Sequence, residues 1–401
     1  MTTGADRAWV IVFGATGFTG RLVCRALRRR NVAFAIAGRN PRKLALLSEA
    51  LDGVEQCVVD TQSRDSVRRA LDRRLIVCSA AGPFAEVGEP ILAAAAEMGV
   101  HYADVSREQA FAAEGVERYD AIARASRACL VSSMAFESAP ADWAASLLAE
   151  RLGGSLDALD VVYAVRAPLA GLASSRGALR SAVATLARGN ARQYVAGALT
   201  AESDATLVRK FTTLGGEEIT AVSCGGAEAV LAPKHLAVAE VRTFRATTPV
   251  AARAMQAMRG LGPLVARAGR GALERLLAYA SEGPDILARA DTRFEIIVEA
   301  RRGESRARAH LTGTDPYAVT AEIQAHAAEA ALAGYVEASG VVAPGVGYPA
   351  LAAFANLGDS IHLDIVGDQL APVRTLKSLR PVRLRQRAGR KSMPSWHTRT
   401  A

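Results

Sequence analysis

Short apolar runs alternate with amphipathic stretches along the first 135 residues. The runs at 9–13, 33–37, 56–59, 75–79 and 130–133 are too short for helices and predict strands, and a further strand ends at 101–104. Between them, residues 20–29, 42–51, 63–71 and 90–98 carry the spacing of helices with one apolar face. Strand and helix in strict alternation predict a doubly wound parallel α/β sheet, the first domain, residues 1–135. After Pro140 the pattern changes. A helix at 141–151, a basic amphipathic stretch at 250–279 and a helix at 316–337 are mixed with strands whose alternation is clearest at 294–300 and 306–311. Those two flank Arg302-Gly303-Glu304, which predicts an antiparallel hairpin. A second, mixed α/β domain containing antiparallel strands is therefore expected over 136–340, with the substrate pocket and a candidate homodimer surface on it. Residues 341–366 form a C-terminal segment and 367–401 a basic tail.

Length fits this division, because 401 residues exceed what one hydrophobic core usually serves. The formal charge of +9 suggests a nucleic-acid partner only until it is located. Nine basic residues against one acid fall within 367–401, so the rest of the chain is close to neutral and carries no phosphate-tracking stripe. No nucleic-acid partner is expected, and the tail is read as a solvated, disordered extension. The five cysteines are odd in number and widely spaced, which predicts reduced core thiols in a cytoplasmic protein and no metal site. Neither a secretory leader nor an apolar run long enough for a transmembrane segment is found.

Chemistry enters directly after the first strand, at Gly14-Ala15-Thr16-Gly17-Phe18-Thr19-Gly20. The first glycine permits a tight turn, the second a close approach to a pyrophosphate, and the third close packing of helix on sheet. Strand, glycines, helix and second strand in this order make a Rossmann dinucleotide site. An acid at the end of the second strand would accept bonds from the ribose hydroxyls of NAD. Here the chain has Arg39-Asn40 instead, with Arg39 19 residues after Gly20, which suits the 2′-phosphate of NADP(H). One charge-assisted contact contributes about 1.5–3 kcal/mol, a preference for NADPH over NADH of about ten- to a hundredfold. Lys43 lies one turn on. Asp60 ends the third strand, beside the adenine or simply in a turn. Ser79-Ala80-Ala81-Gly82, after the fourth, lets backbone lie against the nicotinamide half.

Hydride chemistry belongs to the cofactor, so the protein must orient the substrate and supply a proton. Tyr102 and Asp104 at the end of a strand are the candidate catalytic pair, with Ser138 and Asp142 as further groups able to face the crevice. His101 and His362 are read as packed or solvent-facing. No tyrosine is followed four residues later by lysine, which excludes short-chain dehydrogenase chemistry.

At these residues the chain resembles the saccharopine dehydrogenase-like superfamily, particularly its trans-acting enoyl reductases. Beyond the glycine loop the resemblance is carried by Ala37-Gly38-Arg39, by 81–84 through Gly88-Glu89-Pro90, by 101–104, by 136–142, by 313–317 and by 340–345. It implies a Rossmann domain, a second α/β domain and a C-terminal segment that returns to pack on the first. Three positions depart from the pattern: Arg107 and Ala135 stand where relatives often have glycine, and Ala178 where they have threonine. Arg107 either binds an acidic substrate group, narrows the pocket or points to solvent. The resemblance implies reduction of a carbon-carbon double bond in an acyl or polyketide-type substrate, small or carrier-bound, with a synthase as partner. The alternatives are reduction of a carbon-nitrogen bond, or a non-catalytic NADP-binding module. An acyl substrate predicts a long apolar channel, an amino acid an arginine clamp.

Overall fold

The computed structural model describes residues 9–167, 174–188, 191–258 and 282–367, with isolated positions between 259 and 281. The tail from 368 and most of the amphipathic stretch at 250–279 lie outside them. Of that stretch the described part is a helix, Pro249–Ala257.

The first sheet is built from β1 (Val10–Phe13), β2 (Phe34–Gly38), β3 (Glu55–Val58), β4 (Ile76–Ser79), β5 (His101–Asp104) and β6 (Cys129–Val131). The second contains β7 (Leu156–Arg166), β8 (Arg192–Val195), β9 (Ala198–Ala201), β10 (Val208–Thr212), β11 (Glu218–Ser223), β12 (Val238–Thr247), β13 (Arg293–Arg302) and β14 (Ser305–Thr314). Two short strands close the described chain, β15 (Gly340–Val341) and β16 (His362–Gly367).

All pairings in the first sheet are parallel, in the order β15-β6-β5-β4-β1-β2-β3. The order reverses between β1 and β4, so their C-terminal ends splay apart and open the crevice where ligands of such sheets bind. β1 and β4 are buried along their whole length, as expected of strands covered on both faces. One face packs on the helices Arg64–Leu71, Glu89–Met98 and Gln109–Ser126 through Ile11, Val77, Val67, Ile91 and Phe111. The other packs on Phe18–Arg29 and on Pro316–Leu332 from the C-terminal half of the chain.

The second sheet has the core order β10-β11-β12-β7-β13-β14-β16, with β8 and β9 attached at β12. β12 and β7 run parallel and the other pairs antiparallel, which makes it a mixed sheet. The hairpin read at 294–311 is present and longer, pairing Arg302 with Ser305 around Gly303 and Glu304. The return of the C-terminal segment is divided. β15 adds to β6 in the first sheet, whereas β16 pairs with β14 in the second. One hydrophobic cluster, from Val10 and Ile36 through Trp143 to Ile296 and Leu311, runs between the two sheets without interruption.

Candidate functional site

The glycine loop is shaped by contacts that only glycine permits. Gly14 has φ +69°, and a Cβ on it would stand 2.7 Å from the backbone of Ala80 and Ala81. A Cβ on Gly20 would lie 2.1 Å from the Gly14 carbonyl oxygen, so the Phe18–Arg29 helix is seated directly on the turn. These two positions press the β1 turn against the β4 exit. Gly17 at the helix N-cap is exposed, its helix has no side-chain cap, and no acid stands in the first turn. That terminus presents amides and partial positive charge to whatever anion approaches.

Arg39 and Asn40 follow β2 and are both exposed. Arg39 has no ion pair among the described residues, and no acid occupies the end of β2. The Asn40 side chain is committed to capping its own helix, accepting from the Lys43 amide at 3.0 Å. Asp60 is exposed and accepts from the Gln62 amide at 2.9 Å, the geometry of a turn residue. Ser79 is buried, Ala80 and Ala81 are half-buried and Gly82 is exposed, with the Ser181 hydroxyl beside it. Glu108 fixes this loop by accepting from the amides of Phe84 and Ala85 at 2.9 and 2.8 Å. An exposed unpaired arginine, an uncapped helix terminus and a backbone shelf of small residues fit a dinucleotide carrying an extra phosphate.

Tyr102 and Asp104 are placed differently from a pair that meets a substrate. Both are 0% exposed. One Asp104 oxygen accepts from the amides of Ser106 and Ser133 at 2.8 and 2.9 Å, which joins the exits of β5 and β6. Its other oxygen, the Tyr102 hydroxyl and the Ser79 hydroxyl lie together as a buried polar cluster with no partner of good geometry among the described residues. Burial raises the carboxyl of Asp104 and, with the charge of Asp104 added, lifts the Tyr102 phenol well above its ordinary range. Asp142 is also structural. It bonds His235 at 2.9 Å and accepts from the Gly345 amide at 2.7 Å. His101 accepts from the Cys129 amide at 3.1 Å.

The residues that do line the crevice come from the loop after β5 and from the second sheet. Four consecutive residues, 106–109, reach four different elements. Ser106 turns to the β6 exit, Arg107 to Glu137, Glu108 to the β4 exit, and Gln109 bridges Arg192 and Gly226 of the second domain through bonds of 2.8 Å. Arg107 pairs with Glu137 at 2.5 Å, its side chain 36% exposed. Burial is the largest single influence and works against the Arg107 charge, but Glu137, with smaller contributions from Cys224, Tyr163 and Glu228, more than offsets it. Glu137 itself is raised by burial, with Arg107 and Arg245 pulling in the opposite sense. On the facing wall the Tyr163 hydroxyl donates to Glu228 at 2.5 Å. Within 136–142 nothing in the sequence marks Glu137 for a role, and Tyr163, Glu228 and Arg245 are ordinary residues of strands or loops until the sheet is assembled.

The second domain also reaches the cofactor loop. The Phe18 ring is enclosed edge-on by Tyr317 at 5.0 Å, by the Arg289 guanidinium at 5.8 Å and by the backbone of Gly283. Glu282 pairs with Arg21 at 2.6 Å. No helix among the described residues is long and apolar enough to cross a membrane.

Comparison with known proteins agrees with this geometry in the first domain. Residues 10–131 match the family described as saccharopine dehydrogenase NADP binding domain. The cofactor of that domain is NADP(H). A trans-acting enoyl reductase of Mycobacterium ulcerans is 30% identical over 139 residues, 33% of this chain and 33% of that protein. A saccharopine dehydrogenase-like oxidoreductase of Bos taurus is 27% identical over 192 residues, 43% of this chain and 45% of that one. The chain thus matches about a third to a half of the length of these curated relatives. Among solved structures, apo saccharopine dehydrogenase (L-Glu forming) from Saccharomyces cerevisiae superposes with a TM-score of 0.59 at 12% identity, covering 90% of this chain and 99% of that one. That likeness shows the fold across both domains.

Proposed function

Taking residues 10–131 as the saccharopine dehydrogenase NADP-binding domain they match, we propose that the whole chain is an NADPH-dependent reductase acting on a polarised double bond in the crevice between its domains. The observation that carries this is the meeting of the Gly14 turn with the Ala80–Ala81 backbone at the sheet's switch point, under residues of the second domain. In this reading the backbone from Gly14 through Ala15, Thr16, Gly17, Phe18 and Thr19 holds the pyrophosphate, and Arg39 holds the 2′-phosphate. Asn40 and Asp60 shape the adenosine end through their turns. Ser79, Ala80, Ala81 and Gly82 form the shelf for the nicotinamide half. The bound cofactor supplies the hydride. The chain excludes water, orients the acceptor and delivers a proton from the crevice side, because Tyr102 and Asp104 are sealed beneath the strand ends.

Reduction of a carbon-carbon double bond in an acyl or polyketide-type substrate, with a synthase as partner, is supported by the relatives named trans-acting enoyl reductase, each matched over a third of this chain. The charged crevice wall of Arg107, Glu137 and Glu228 favours the second reading, reduction of a carbon-nitrogen double bond. NADPH consumption followed with crotonyl thioester, and with 2-oxoglutarate plus ammonia, tests the activity. Turnover of either substrate supports a reductase and selects the bond. Tight NADPH binding with no turnover of either contradicts it and leaves a non-catalytic NADP-binding module.

A further inference from the structure

We propose that Arg107 and Arg245 together form the anion-binding end of the substrate crevice, and that the substrate is a carboxylic acid gripped there. The proposal rests on the reductase reading and names the substrate class for the same crevice.

Arg107 is placed by the first domain. β4 and β5 are neighbours with Ser79 beside Asp104, so the loop carrying Arg107 emerges next to the Ala80–Gly82 shelf, and Glu108 ties the two loops together. Arg245 is placed by the second domain. It stands beside Tyr163 in the β12–β7 pair, on the strand face that also carries Thr243, two residues away. Tyr163 and Thr243 both turn their hydroxyls to Glu228, at 2.5 and 3.4 Å, and both Glu228 and Thr243 lie against Gly226, whose carbonyl accepts from Gln109, two residues after Arg107, at 2.8 Å, so this face abuts the Arg107 loop.

The two guanidiniums are unequal. Arg107 has Glu137, whereas Arg245 is exposed and has neither ion pair nor hydrogen bond among the described residues. The positive charge of Arg107 pushes the pKa of Arg245 below its ordinary value, and desolvation by the surrounding protein adds to this. The neighbouring acids are engaged elsewhere: Glu228 by Tyr163 and Thr243, and Asp204 by the Gly225 amide at 2.9 Å. Of these two cations on adjoining elements only Arg107 has a paired carboxylate among the described residues, so the exposed Arg245 lacks an anion. A planar carboxylate matches the guanidinium fork. The same three acids repel a dianionic phosphate, so a monovalent group is the better occupant.

The NADPH-saturated full chain is titrated with crotonate, 2-oxoglutarate and L-glutamate, following nicotinamide fluorescence, with crotonamide and inorganic phosphate as controls. At least one carboxylate is expected to give a saturable response that crotonamide does not. Arg245→Gln should weaken it about ten- to a hundredfold and Arg245→Lys less, with the NADPH Kd unchanged. Arg245→Gln strands no partner, so it tests the site even if Arg107→Gln, which leaves Glu137 buried alone, does not fold. No response to any carboxylate, an equal response in Arg245→Gln, or preference for phosphate would overturn the proposal. Failure of NADPH to bind removes the reductase reading itself, whereas NADPH binding without a carboxylate response removes this proposal alone.

Discussion

Tyr102 ends in a fully buried hydroxyl that interacts with the Ser79 hydroxyl and with Asp104, in a cluster closed to solvent. A hydrogen bond of poor geometry in such a cluster contributes at most about 1 kcal/mol net, so removing the hydroxyl costs little. Tyr102→Phe is therefore predicted to change the melting temperature little, and to leave turnover intact. A large fall in kcat with an unchanged melting temperature would instead return Tyr102 to the role of proton donor. His326 has the opposite kind of consequence. It lies 6% exposed against Trp143 and Tyr348, and burial, then the charge of Arg30, push its pKa down from 6.5 to about 4. The folded state keeps the ring neutral while the unfolded chain takes up a proton, so stability falls as pH drops from 6.5 towards 4 and levels off below. The full loss is about 3 kcal/mol. Denaturant midpoints across that window should show this slope in the wild type and a flatter one in His326→Met. Equal slopes would contradict the assignment.

Among the elements, the docking of Pro316–Leu332 onto Phe18–Arg29 joins the C-terminal half of the chain to the cofactor domain. Arg30, just past the first helix, bonds Glu322 at 2.7 Å, Glu329 at 2.6 Å and Asn356 at 2.6 Å, with its side chain 19% exposed. Arg30→Ala leaves Glu329 without a cation and Glu322 with Arg29 alone, and should cost about 3 kcal/mol, read in chemical denaturation. A change under 1 kcal/mol would show that the apolar contacts carry the docking alone. Most strands and helices of the first domain were legible in the sequence because each is short, locally periodic and bounded by turn residues; the 18-residue helix Gln109–Ser126 was not, because the face it buries carries Gln109, Ala112, Gly115 and Ala123 instead of a row of large apolar side chains. β13 and β14 were legible for the same reason. β9 and β10 were not: they are exposed along most of their length, so alternation marks no inner face. The long β7 and β12 carry Tyr163 and Arg245, and their parallel pairing joins segments some eighty residues apart, a relation that local pattern does not encode.

At the scale of the molecule, the two sheets share one hydrophobic core, and the described chain closes by giving β15 to one sheet and β16 to the other. This arrangement fixes the crevice walls against each other. It also explains why the site was half readable. Gly14, Gly20 and Arg39 act within a single βαβ unit and show in the sequence, whereas Arg107, Glu137 and Arg245 meet only when the domains are assembled. The dinucleotide site and its phosphate selectivity underlie everything proposed for the crevice. The most direct test is titration of the purified chain with NADPH and with NADH, repeated with Arg39→Ala. Binding that favours NADPH about ten- to a hundredfold, with the preference abolished in Arg39→Ala and NADH binding unchanged, is the predicted result. Equal affinity for the two nucleotides, or binding of neither, would contradict it.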